Sequence, residues 1–273
     1  MGSPPAPEAA SPALAPAPPL PPPPAQGGES CPDGMVLVPG GPAELGESDP
    51  DLAKPYSPNT VVPRGRYELA SYCIDTFPLP GRAGDPWPTS GITPAGIRTV
   101  EAMLHEHGRR LCTVAELMRA AGGAEGLRYP WGDDPAAPPV CDPDDESPQP
   151  LGTFAGCASP AGLRDLQVRS TWARLDPVTE AALTKAGAHT QPGFGGYTVW
   201  GGLVRQDTYY APTNFGVHFH PGGAGSYTDD GLRTCAWPGA PPTESEAWQR
   251  RVERLRRDRS LEGLAAPLAT PGE

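Results

Sequence analysis

The chain of 273 residues carries 40 prolines, 34 glycines and a formal net charge of −11. An acidic chain is poorly suited to sequence-independent binding of a phosphate backbone, and no apolar run in it is long enough to cross a membrane as a helix. Residues 1–30 are mostly Pro, Ala, Ser and Gly without periodicity, so they cannot bury enough apolar surface to offset the entropy of ordering them.

Three regions follow from this composition. Residues 1–30 are expected to be a disordered stalk or linker, extended and fairly stiff where prolines run together. Residues 31–240 are the expected domain, and 241–273 an amphipathic, Arg-rich helix and tail. The start at Met1, Gly2 and Ser3, running straight into low complexity, reads as an expression start placed after a removed targeting segment. A proline-rich stalk ahead of a cysteine-bearing domain fits an extracytoplasmic protein: periplasmic or outer-membrane-tethered, with a lipid anchor on the precursor, or secreted. All six cysteines (Cys31, Cys73, Cys112, Cys141, Cys157 and Cys235) fall inside the expected domain. None forms a C-x-x-C, so disulfides in an oxidising compartment are expected, with their pairing open.

In chain order, Met35 to Val38 reads as a short strand closed by Pro39, Gly40 and Gly41. Residues 42–65 read as a polar surface loop, and 67–77 as a second strand. Thr93 and Pro94 open a helix by cap and first-turn proline, with Ile97, Val100, Met103 and Leu104 as its apolar stripe. Leu111 and Cys112 lead to Thr113 and Glu116, which form a capping box for a second helix ended by Gly122 and Gly123. Tyr129 to Gly132 follows as an aromatic turn, then an acidic, proline-rich loop. Leu151 to Phe154 and Leu163 to Leu166 are apolar anchors, and 177–186 is a weak helix. Strands are expected at 197–204, 217–219 and 232–237. In the tail, Thr243 and Glu246 make another capping box. Trp248, Val252 and Leu255 make a stripe, with Glu246–Arg250 and Glu253–Arg257 as i,i+4 pairs. That helix either docks on its own domain or contacts an acidic partner or anionic surface.

These pieces together resemble, in order, the formylglycine-generating enzyme and sulfatase-modifying-factor domain. They are C-P-D-G-M-V-L-V-P-G-G at Cys31, Y-C-I-D at Tyr72, G-R-R-L-C-T-V-A-E-L at Gly108, Y-P-W-G-D at Tyr129, G-L-R-D-L at Gly162 and G-L-R-T-C-A at Gly231. The resemblance implies an α+β fold, a formylglycine-generating-enzyme-like variant of the C-type-lectin-like fold. Short strands, two main helices and extensive irregular loops are expected. Cys112 stands where the family has proline, and within this resemblance it is placed to tie its segment to a distant one such as the Cys235 strand.

The departures bear on function. The family's G-N-V-W-E-W segment is replaced by Q-V-R-S-T-W at Gln167 to Trp172, removing oxygen ligands that calcium would need. The family's formylglycine chemistry uses two late cysteines that hold copper, whereas here Cys235 is the only cysteine after Cys157. A noncatalytic binding or structural domain, with a protein partner in the cell envelope and no cofactor, is therefore the leading expectation. Its expected contact surface is Trp200, Tyr209, Tyr210, Asn214, Phe215, His218, His220 and Tyr227, residues that equally serve to anchor long loops. The competing expectation is a metal-dependent oxidoreductase, and the alternative to no cofactor is a transition metal or calcium. His218 and His220 share one face of a strand, and Asp207, Asp229 or Asp230 is the candidate third ligand. A glycan-binding module is a further alternative from fold relationship alone, although the E-P-N, Q-P-D and W-N-D lectin signatures are absent. Nothing points to a nucleophilic hydrolase or a phosphate-binding loop.

Overall fold

The structure is a computed structural model. It describes residues 30–47, 62–86, 96–127, 129, 132, 150–154, 156, 158–166, 171–185, 232–239 and 246–258, together with the backbone of residues 197–200, 205–206, 209–210 and 217–218. The chain is mixed α+β, with four helices and small antiparallel sheets among the described residues.

The central sheet has four strands: β1 (Met35–Val38), β4 (Tyr72–Asp75), β11 (Thr234–Ala236) and β5 (Arg109–Leu111), in the order β1-β4-β11-β5. Its pairs are antiparallel, with Leu37 opposite Cys73, Ala236 opposite Cys73 and Ala236 opposite Arg109. Period-two alternation therefore sorts the side chains onto two faces. Val38, Tyr72, Ile74 and Cys235 enter the largest apolar cluster, beside Cys112, Leu117 and Met118. Toward the β1 end of the opposite face lie Met35, Cys73 and Ala236. Toward its β5 end, Leu111 joins Ile97, Leu104, Trp172 and Trp248.

The expected strand over 67–77 is two strands in two sheets. β3 (Gly65–Leu69) pairs with β2 (Gly41–Leu45), and only after Ala70 and Ser71 does the chain enter β4 of the central sheet. The crossing is tight, because a Cβ added at Gly40 would lie 2.6 Å from the Ser71 nitrogen. Part of the expected 42–65 loop is thus β2, whose Ala43 and Leu45 are buried. Pro42 hides it in the sequence, since proline within a run argues against a strand.

Helix α1 (Ile97–Glu106) buries Ile97, Val100, Met103 and Leu104 as expected. It begins at a Gly96 cap without side-chain help, while Thr93 and Pro94 lie outside the described residues. Helix α2 (Val114–Gly122) carries the expected capping box, with Glu116 N–H donating to Thr113 Oγ1 at 3.2 Å and Thr113 N–H to Glu116 Oε2 at 2.8 Å. It ends at Gly123, whose φ of 74° favours glycine. Tyr129 and Gly132 close a tight turn by exchanging backbone hydrogen bonds.

Strand β6 (Thr171–Arg174) pairs with β7 (Tyr197–Trp200), and β7 with β10 (Val217–His218), in a second sheet. A separate ribbon joins β8 (Arg205–Gln206) to β9 (Tyr209–Tyr210). Helix α3 (Pro177–Lys185) matches the expected weak helix closely.

Helix α4 (Glu246–Asp258) docks on the domain. Trp248 and Leu255 are 2% exposed, and each buried side chain is worth on the order of 1.5–3 kcal/mol. Glu246 pairs with Arg250 as expected. The expected Glu253–Arg257 pair is not made: Glu253 instead meets Arg256 and Arg82, and Arg257 meets Asp258.

Candidate functional site

Two adjacent arginines on a three-residue strand must point to opposite faces, and both are buried here. Arg110 turns toward the α2 side. Its two terminal nitrogens donate to the Glu116 carboxylate at 2.7 and 2.6 Å, and its guanidinium lies 4.2 Å from the Trp237 ring centroid. A bidentate pair is the strong form of this interaction. The same Glu116 completes the α2 capping box, so one carboxylate fixes both the arginine and the helix start. The Tyr72 hydroxyl donates to the Glu116 carbonyl, and burial pushes its pKa well above the ordinary phenol value, with the Glu116 charge adding to the rise.

Arg109 turns the other way. It donates to Asp75 Oδ1 at 2.7 Å and to Thr234 Oγ1 at 3.0 Å, and Trp248 of α4 lies 5.5 Å from its guanidinium. Thr234 donates to Asp75 Oδ2 through its amide at 2.7 Å and its hydroxyl at 2.6 Å. Three of the sequence motifs, Y-C-I-D, G-R-R-L and G-L-R-T-C-A, therefore meet in one buried polar strip.

Arg233 is 1% exposed and serves as a clamp for backbone. It donates to the carbonyls of Asp75 at 3.0 Å, Thr76 at 3.1 Å, Asp165 at 3.1 Å and Arg164. Burial lowers its pKa to about 10, against the charges of Asp165 and Asp75. Asp165 has φ of 52° and accepts from the Gly152 amide at 2.9 Å. Its carboxyl is raised by burial, which outweighs the Gly152 hydrogen bond and the charges of Arg233 and Arg164. These groups are spent on internal partners. They position strands and loops.

The crosslinks reinforce the same place. Cys112 is bonded to Cys235 across 123 residues, joining the α2 entry to β11, and both cysteines are fully buried. Cys31 is bonded to Cys73 of β4. Cys141 and Cys157 lie outside the described residues.

The expected contact residues are brought together only in part. Trp200 stands opposite Val217 on one side and Thr171 on the other, and His218 stands opposite Val199, itself opposite Trp172. This sheet is fastened to the core through β6: Arg174 N–H donates to the Cys112 carbonyl at 2.9 Å, and Arg233 N–H to Thr171 Oγ1 at 3.0 Å. Tyr209 and Tyr210 lie on the separate β8–β9 ribbon. Asn214, Phe215, His220 and Tyr227 lie outside the described residues, as do Asp207, Asp229 and Asp230. Among the described residues, no group of three or more His, Cys, Asp or Glu side chains is arranged to hold a metal ion, and no helix is long and apolar enough to cross a membrane.

Asp75, Arg109, Arg110, Thr234 and Arg233 stand inside the family-like motifs, but the sequence alone assigns them no role. The available signal was charge set directly beside short apolar strand runs, as in R-R-L-C and L-R-T-C-A. No family model matches the chain, and no curated protein matches it.

Proposed function

We propose that this chain is a noncatalytic binding or structural domain working outside the cytoplasm, on a formylglycine-generating-enzyme-like scaffold. The observation that carries this reading is the Cys112–Cys235 bond. The only cysteine after Cys157 is held in a fully buried crosslink and is not free to supply a thiolate to copper. The α+β architecture and the meeting of three family-like motifs in adjacent strands support the scaffold. Two disulfides support an oxidising compartment. In this reading the contact with an envelope protein is made by the region of Trp200, Tyr209, Tyr210 and His218, outside the buried hub.

The test supplies the folded chain with copper, oxygen and a peptide bearing the sulfatase cysteine, and follows aldehyde formation by mass spectrometry. No conversion is expected, and catalytic conversion would overturn the proposal. In parallel, changing Tyr209 and Tyr210 to alanine is expected to weaken capture of an envelope partner by tenfold or more, on the order of 1.4 kcal/mol, with the melting temperature unchanged. A fall in melting temperature matching the loss of capture would make the two tyrosines loop anchors.

A further inference from the structure

The chain enters the fold on the outer face of the central sheet. Cys31 lies against Met35, Leu37, Cys73 and Ala236 on that face. The turn at 32–34 then reverses the chain into β1, with Met35 N–H donating to the Pro32 carbonyl at 3.1 Å. β1 is four residues long and is one of the two edge strands, with β4 as its partner in the sheet. β4 is flanked by β1 and β11 and is buried along its whole length. β11 is in turn crosslinked to the α2 entry through Cys235 and Cys112.

We infer that the Cys31–Cys73 bond is a mechanical anchor that carries tension from residues 1–30 directly to β4 and keeps it off β1. Without the crosslink, a pull on residue 30 acts first on β1. β1 is an edge strand, held in the sheet on one side alone by four registered pairs to β4. With it, tension passes covalently from Cys31 into β4, and from there through the hydrogen-bonded β4–β11 ladder to Cys235, Cys112 and the head of α2. Residues 32–72, including β1, β2 and β3, lie in a closed loop outside that path. The entry point is secured a second time, because Gly239 N–H donates to the Ser30 carbonyl at 2.9 Å. The inference rests on residues 1–30 acting as a stalk. A domain held by such a stalk feels tension there whenever its bound partner moves.

The experiment is single-molecule force spectroscopy on the full chain. It pulls between residue 1 and a click-chemistry handle at Val178, which lies on α3 and is 51% exposed. The oxidised protein is compared with the Cys31→Ser/Cys73→Ser variant. Release of the loop lengthens the unfolded variant by about 150 Å, from a separation of 42 residues at about 3.6 Å each. That length change reports only the missing bond. The anchor is tested by force: the variant is expected to show an added first rupture at lower force, as β1 peels away. Equal first-rupture forces would overturn the anchor and leave the binding-domain reading standing. A variant that fails to fold is replaced by the wild type under mild reductant, since Cys31 is partly exposed whereas Cys112 and Cys235 are fully buried. The same early rupture is expected there, and its absence after confirmed reduction of Cys31–Cys73 counts equally against the anchor.

Discussion

Asp165 combines three uncommon properties: it is 2% exposed, it occupies the left-handed backbone region, and its carboxyl is raised above the ordinary carboxylate value. The cause is burial, which outweighs the Gly152 hydrogen bond and the nearby Arg233 and Arg164 charges. For a carboxyl whose folded pKa is raised, its contribution to stability is full below the unfolded value and is lost as pH rises through the folded one. The charged form at neutral pH therefore costs stability. Asp165→Asn keeps an oxygen for the Gly152 amide and tolerates the backbone angle. Urea denaturation is expected to show the variant more stable than wild type at pH 7, with the difference vanishing on acidification below the ordinary carboxylate range. Asp165→Ala removes the acceptor and is expected to lose about 1–3 kcal/mol at pH 7. Roles of this kind are the least legible in the sequence. Arg109 and Arg110 gain a face and a partner only once they are placed on a buried strand, and Arg233 only once it is placed beside one.

Local signals at the scale of elements were readable wherever both partners lie within a few residues. Thr113 and Glu116 announce the start of α2, and Ile97, Val100, Met103 and Leu104 announce the buried face of α1. Asp176 shows what proximity in sequence misses. It caps α3, accepting from Thr179 N–H at 2.9 Å and from the Thr179 hydroxyl at 2.7 Å. The same carboxylate accepts from Ala115 N–H at 3.2 Å, in the first turn of α2 and 61 residues away. One side chain thus satisfies orphan amides of two helices and sets their N-termini against each other. Loss of one cap typically costs about 0.5–2 kcal/mol, so Asp176→Ala is expected to lose about 2–3 kcal/mol in urea denaturation with an unchanged m-value. A loss no larger than that of a single cap would show that the Ala115 contact contributes nothing. The division of 67–77 between two sheets was hidden for a related reason: pairing with β2 is set by distant residues and by the close passage at Gly40.

At the scale of the whole molecule, the central sheet is covered on one face by the α2 cluster. On the other it is covered by Cys31, α1 and α4. Helix α4 is part of this fold. Trp248 lies against Arg109 and 4.8 Å from the His107 ring, while Arg256 reaches Asp85 at 2.8 Å and the Pro80 carbonyl at 3.1 Å. Trp248→Ala is expected to destabilise the chain by about 3–5 kcal/mol, read as a fall in the urea midpoint. A chain ending at residue 239 would uncover the same apolar surface, so its loss of binding would report unfolding as much as a missing contact. The mixed α+β class was legible from short apolar runs and helical stripes. Strand order was not, because it depends on pairings more than a hundred residues apart, such as Cys235 with Arg110. Of the candidate contact region, the sequence located the strands holding Trp200 and His218. Their attachment to the hub through Arg174 and Thr171 needed three dimensions.

The place of β11 also has a consequence in time. The last strand of the central sheet is an inner one, seated between β4 and β5. As the chain emerges from its N-terminus, Cys31 can meet Cys73 early, whereas Cys112 must wait for Cys235 while Cys141 and Cys157 pass first. Pairing in order of appearance would join the wrong thiols. A chain halted before residue 234 has no strand to bridge β4 and β5 and leaves two sheet edges open to other chains. Closing the sheet and sealing its fully buried bond therefore happen only once nearly the whole domain has been delivered. The crosslink thus records that delivery is complete as well as holding the fold.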